Sequence, residues 1–230
     1  MNIERVIALL VGLVLLGNTG FSQVENRVGA MPGLSLVWKT KNDWKIVGEF
    51  ESRHFFWQEN ENAQLEFEHE FALTDFTLLG SRSVGLRASA VGGFRLRLTP
   101  EGPFYRSIQQ YIWLSKWHGK RLAHRIASDQ TFSPFEPTEV RFRYRLGMEL
   151  PLNGLRVDPR EFYLKLKTEG LVEFQGEDMD LEYRLTPTLG YQTARDQKLE
   201  IGLENRVDSF IDGGVRLTNY LLFSWYIRVN

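Results

Sequence analysis

The stretch Arg141-Phe142-Arg143-Tyr144-Arg145-Leu146 sets a guanidinium against an apolar or aromatic side chain at every step. Successive side chains of a β-strand point to opposite faces, so in extended form this run has one wholly cationic face and one wholly apolar face. A helix would scatter both kinds around its circumference. The same period of two continues outward in both directions. Trp44 to Arg53 alternates apolar with charged residues, Leu65 to Leu73 repeats the pattern in acidic form, and Phe94-Arg95-Leu96-Arg97-Leu98 repeats it in basic form. Phe162 to Lys167, Leu199 to Arg206 and Val215 to Val229 carry it to the end. Between the runs lie turn-forming clusters: Lys41-Asn42-Asp43, Glu59 to Asn62, Pro100 to Pro103, Trp117 to Lys120, Asn153-Gly154, Gln175 to Asp178 and Asp212-Gly213-Gly214.

A soluble sandwich also alternates, so strand length and the polar face decide between architectures. Ser83 to Leu98 and Val215 to Val229 read as runs longer than the roughly 5 or 6 residues of an ordinary strand, closer to the roughly 9 to 11 that cross a bilayer at a tilt. Aromatic residues gather near run ends, at Phe55-Phe56-Trp57, Tyr105, Trp113, Trp117 and Trp225-Tyr226, as interfacial girdles would place them. The pattern therefore predicts an all-β fold, a single antiparallel up-and-down transmembrane β-barrel. Both chain ends on the same side of the membrane would require an even number of strands. About twelve are expected, or ten.

If the apolar positions meet lipid, the charges must face the lumen, because an Arg or Lys at the lipid midplane costs about 2 to 4 kcal/mol. The lumen-lining candidates are Glu49, Glu51 and Arg53, then Glu66, Glu68 and Glu70, then Arg87, Arg95 and Arg97. Arg106, Arg121 and Arg125 follow, with Arg141, Arg143 and Arg145 after them. Lys165, Lys167, Glu169, Glu182, Arg184, Glu200, Glu204 and Arg206 complete the set. An acidic strand beside a basic one lets carboxylates and guanidiniums pair across strands. His69 breaks the outward apolar pattern, which marks an interface position or a slip of register.

The N-terminus bears on the compartment. The charged start Met1 to Arg5 precedes the apolar run Val6 to Leu16, about half the length of a membrane-crossing helix. Small residues at Gly20 and Ser22 suit cleavage after about Ser22, so residues 1–22 are expected to be a signal peptide and residues 23–230 the barrel. The alternative is an uncleaved anchoring helix. The net charge of −1 gives no reason to expect nucleic-acid binding, and the absence of cysteine excludes disulfides, thiolate metal sites and a Cys nucleophile.

Several motifs in order resemble an uncharacterised outer-membrane β-barrel family of Gram-negative bacteria, known as a domain of unknown function. They are Gly92-Gly93-Phe94-Arg95, Tyr105 to Tyr111, Arg121-Leu122-Ala123-His124-Arg125, Arg141 to Leu146 followed by Pro151-Leu152, Arg184-Leu185 and Leu189-Gly190-Tyr191. The resemblance implies a barrel and no activity. The sequence departs from it at Ala127-Ser128-Asp129-Gln130, and it ends on Asn230 rather than the aromatic residue common at barrel C-termini.

For chemistry, the histidines are His54, His69, His118 and His124. His118 lies near Ser115 and His124 near Ser128 in sequence, but neither pair makes a triad, and no Gly-x-Ser-x-Gly or His-Glu-x-x-His motif is present. No catalytic residue, metal ligand or cofactor is assigned; calcium at the Glu66, Glu68, Glu70 row is the metal alternative. The expected function is non-enzymatic, a porin-like small passive pore or a structural or accessory component of an outer-membrane complex. Its expected partners are outer-membrane lipid and lipopolysaccharide, the barrel assembly machinery and an outer-membrane protein. The alternatives are a lipid-modifying or lipid-hydrolysing enzyme and a soluble periplasmic β-sandwich or lipocalin-like binder.

Overall fold

The computed structural model describes residues 25–40, 43–59, 64–118, 120–134, 136–211 and 214–229. The expected signal peptide lies outside them. The described residues hold eleven strands and no helix. The strands are β1 (Glu25–Lys39), β2 (Trp44–Glu59), β3 (Leu65–Gly85), β4 (Ala88–Thr99), β5 (Gly102–Trp117), β6 (Lys120–Phe132), β7 (Glu139–Pro151), β8 (Phe162–Gln175), β9 (Asp178–Ala194), β10 (Gln197–Asp208) and β11 (Arg216–Val229).

Each strand pairs antiparallel with the next, and the sheet closes into a barrel where β1 meets β11 in parallel, from Glu25 opposite Arg216 to Trp38 opposite Val229. The expected even count, twelve or ten, and the wholly antiparallel sheet are corrected here. Closure requires only that two edge strands satisfy each other's free backbone groups, and a parallel ladder does so as well. With an odd number of strands, β1 and β11 run the same way. Glu25 therefore sits at one end of the barrel, here the lower, and Val229 at the upper.

A second correction falls between Ser83 and Leu98, which read as one strand. It is a hairpin, in which Gly85 ends β3, Leu86-Arg87 turns, and Ala88 begins β4. The two turn residues, Leu86 and Arg87, include no Gly, Asn, Asp or Pro. At two of the other tight turns, Gly176 (φ 64°) and His118 (φ 47°) take left-handed backbone conformations.

The alternation sorts side chains as a membrane barrel would. Phe50, Phe76, Leu78, Phe94, Ile126, Phe142, Leu166, Ile201, Leu221 and Phe223 are exposed on the outer wall, Phe94 by 73%. Aromatics ring both ends of that wall: Trp44, Trp117, Phe162 and Trp225 above, Trp57, Phe67, Tyr105, Phe132 and Phe174 below. The interior is not uniformly polar. Met31, Phe55, Tyr220 and Leu222 form one small apolar cluster inside, and Leu79, Val91 and Ile108 another.

Register slips twice near the histidines of the outer face. β2 bulges between Arg53 and His54 and again between Phe55 and Trp57. There His69 stacks on His54 with ring centroids 5.4 Å apart, and Ser52 Oγ lies 3.0 Å from His54 Nε2.

Candidate functional site

The waist of the barrel is built from charges, because the inward positions of β2 to β10 carry most of the Arg and Glu residues. Asp75, 1% exposed, accepts two hydrogen bonds from Arg97, Nε to Oδ1 at 2.8 Å and Nη2 to Oδ2 at 2.9 Å. Arg95 Nη1 lies 3.2 Å from the same carboxylate and Arg53 Nη2 4.0 Å. Asp129, fully buried, holds Arg143 at 2.7 Å and Arg141 at 3.4 Å. Glu139 bridges Arg106 at 3.2 Å and Arg141 at 3.0 Å. On the far side, Glu182 pairs with Arg184 at 2.5 Å, and Glu204 pairs with Arg206 at 2.5 Å. Each acid neutralises charge that would otherwise be stranded away from water, at a cost of several kcal/mol per ion. Such pairing buries Asp75, Arg106, Asp129, Arg141, Glu204 and Arg206, each less than a tenth exposed.

Above the waist the lumen widens into a cavity of about 580 Å³. Ten Lys and Arg side chains line it against six Glu side chains, so it carries an excess of positive charge. The cations concentrate on β6, β7 and β8, where Glu169 sits 2.6 Å from Arg125, 3.4 Å from Arg143 and 3.5 Å from Arg145. Arg184 of β9 approaches the same carboxylate at 3.9 Å. The acids concentrate on β2, across the barrel, and on β10, two strands from β8. Glu200 accepts hydrogen bonds from the Tyr163 hydroxyl at 2.7 Å and from Lys165 Nζ at 2.9 Å. Tyr163 is completely buried, with its ring directly over Gly190, where an added Cβ would lie 2.1 Å from Cζ.

Glu49, Glu51, Arg53, Arg95, Arg121, Arg125, Arg143, Arg145, Lys165, Lys167, Glu169, Arg184, Glu200, Glu204 and Arg206 line the cavity, while Arg97, Arg106, Arg141 and Glu182 belong to the ion pairs of the waist. Arg87 is not a lumen residue: it lies exposed in the turn after Leu86. Glu66, Glu68 and Glu70 also lie outside the waist, exposed on the lower part of β3, which begins at Leu65 while its pairing with β4 begins only at Thr74. Gln58 donates to Glu70 at 2.6 Å. Among the described residues no group of three or more His, Asp or Glu is placed to hold a metal ion.

Sequence reading missed Asp75, Asp129, Glu139 and Tyr163. Asp75 and Asp129 are single acids in otherwise neutral stretches, Thr74 to Leu79 and Ile126 to Phe132, and period two with Thr77 and Thr131 was their only signal. In sequence His124 lies near Ser128, but its hydrogen-bond partner in the fold is Ser115. His124 is on the outer wall, with Ser115 Oγ 2.7 Å from Nε2, Tyr144 Oη 2.8 Å from Nδ1, and Trp113 stacked at 4.8 Å. His118 stays apart in its turn, edge-on to Trp117.

A family model described as a protein of unknown function, DUF2490, matches residues 32–215. The chain belongs to that family. The DUF2490 match begins within β1 and ends one residue before β11, so it takes in every charged residue of the waist and every Lys and Arg of the cavity. A search of curated proteins finds no match.

Proposed function

We propose that this DUF2490 protein is exported and spans the bacterial outer membrane as a barrel with a closed waist, serving there as a structural or accessory component rather than as an open pore. The outer wall carries the membrane reading: a continuous apolar belt between two aromatic girdles is far larger than the apolar patches that soluble monomers expose. Lipid and lipopolysaccharide are the natural partners of that wall, and export implies delivery by a cleaved signal peptide and insertion by the barrel assembly machinery. The paired waist favours closure over conduction, because each charge already has a protein partner where permeant ions would need one. Fractionation and recording test the two halves separately. The protein should stay with outer membranes through carbonate washing; recovery from the periplasm without detergent would sink the membrane reading. In planar bilayers it should show no conductance above the lipid baseline, and resolved unitary steps would restore the pore.

A second reading rests on Ser115, His124 and Tyr144. They stand in nucleophile, base and orienter order on the outer wall, at the height of the upper girdle where lipid ester groups would lie. In that reading His124 Nε2 takes the hydroxyl proton as Ser115 attacks an ester carbonyl, then gives it to the alcohol that leaves as the ester C–O bond breaks, and water hydrolyses the resulting acyl-serine. Phospholipid turnover lost in both Ser115→Ala and His124→Gln supports it, and turnover surviving both removes it.

A further inference from the structure

We infer that the upper cavity is a binding site for a small hydroxylated anion of the sugar-phosphate class, which enters from the upper end and sets its phosphate on the wall made by β6, β7 and β8. The inference stands on the cavity and holds whether or not the waist conducts.

The charge accounting on that wall is incomplete. Asp129 and Glu169 take Arg143, Glu169 takes Arg125, and Glu200 takes Lys165. Arg145 keeps only a contact of 3.5 Å with Glu169. Lys167 and Arg121 face the cavity with no ion pair or hydrogen bond among the described residues. Lys167 is only partly exposed, whereas Arg121 stands at the open mouth. Inside a barrel the dielectric is well below that of bulk water, so adjacent unpaired cations repel one another and gain from an anion between them. The waist shows how this chain treats buried guanidiniums elsewhere, by supplying a carboxylate. At this wall a ligand would supply the missing negative charge. Guanidinium groups suit phosphate because their fork of donors matches two oxygens at once, and a lysine adds a point charge.

The opposite wall defines the rest of the ligand. Glu49 of β2 with Ser224 and Tyr226 of β11 present an acceptor and hydroxyls to the cavity, groups that bond sugar hydroxyls, and the Glu49 carboxylate would repel a second phosphate. A volume of about 580 Å³ exceeds the needs of a bare phosphate and falls among ordinary small-molecule sites.

Calorimetric titration of the purified, folded barrel with inorganic phosphate, glucose 6-phosphate and glucose tests this. Phosphate should bind, glucose 6-phosphate should bind about tenfold more tightly, and glucose should give no signal. Lys167→Met and Arg121→Gln should each weaken glucose 6-phosphate about tenfold, the loss of one charge-assisted contact. Arg216→Gln removes the same charge from the lower rim and should leave affinity unchanged. If Lys167→Met does not fold, Arg121→Gln at the exposed mouth still decides. No binding of either anion, glucose binding as well as glucose 6-phosphate, or equal losses in Arg216→Gln and Arg121→Gln would each overturn the assignment. Glucose 6-phosphate binding no more tightly than phosphate would overturn its sugar half.

Discussion

The waist and the cavity above it use the same residue types to opposite ends. In the waist, Asp75 and Asp129 are almost wholly buried, and each gathers two or more guanidiniums within 4.0 Å. In the cavity, one buried acid, Glu169, is shared among four arginines drawn from β6, β7 and β9, and Lys167 and Arg121 have no such partner among the described residues. The difference is access to water. A charge sealed in the waist must be neutralised by the fold itself, whereas one beside an open cavity can rely on solvent or a solute. Closure and binding are thus two settings of one ion-paired interior.

The comparison breaks most visibly at its buried end. Asp75→Ala leaves Arg97 and Arg95 without their carboxylate, and should cost about 3 to 5 kcal/mol as a lowered urea midpoint of tryptophan fluorescence in the folded barrel. A loss no greater than that of a surface substitution would mean that water reaches the waist. The contrast also assumes that solvent enters from the end of the barrel and not through its wall. Leu78→Arg, on the outer wall at a side chain 60% exposed, should cost about 2 to 4 kcal/mol when folding is measured into lipid vesicles. A soluble barrel would tolerate it within about 0.5 kcal/mol.

At the cavity, packing should matter more than charge. Gly190→Ala pushes a methyl into the ring of Tyr163, which Glu200 holds by its hydroxyl, and should cost about 1 to 3 kcal/mol. Gly170→Ala, where nothing lies within 4 Å of the new Cβ, should lose nothing when thermal melts of the two variants are compared with that of the parent barrel. The smallest effect belongs to the upper rim. Glu149 and Lys198 pair at 3.2 Å with side chains 42% and 31% exposed, so Glu149→Gln should cost at most about 1 kcal/mol, and added salt should erase it.

Much of the wall was legible in the sequence. Period two placed Arg141, Arg143 and Arg145 on one face and Phe142, Tyr144 and Leu146 on the other, because sidedness along a strand is a local property of the backbone. Glycine and polar clusters located most turns for the same reason. The Leu86-Arg87 turn went unread because its residues have no turn preference of their own, and the strand count erred separately, by assuming that both chain ends lie on one side. His69 looked anomalous because bulges in β2 shift its partners, and a bulge leaves almost no trace in one strand's sequence.

Sequence by itself therefore determined that this chain forms long strands with charge on one side and apolar side chains on the other. Only the tertiary structure decided that eleven strands close through a parallel seam, that Glu169 on β8 reaches Arg125 on β6 across an intervening strand, and that Lys167 finds no acid. The physical reason is range. Which face a side chain takes depends on its immediate neighbours, but which charge it meets depends on strand register and on the curvature of the closed sheet, and both are set by the ring as a whole.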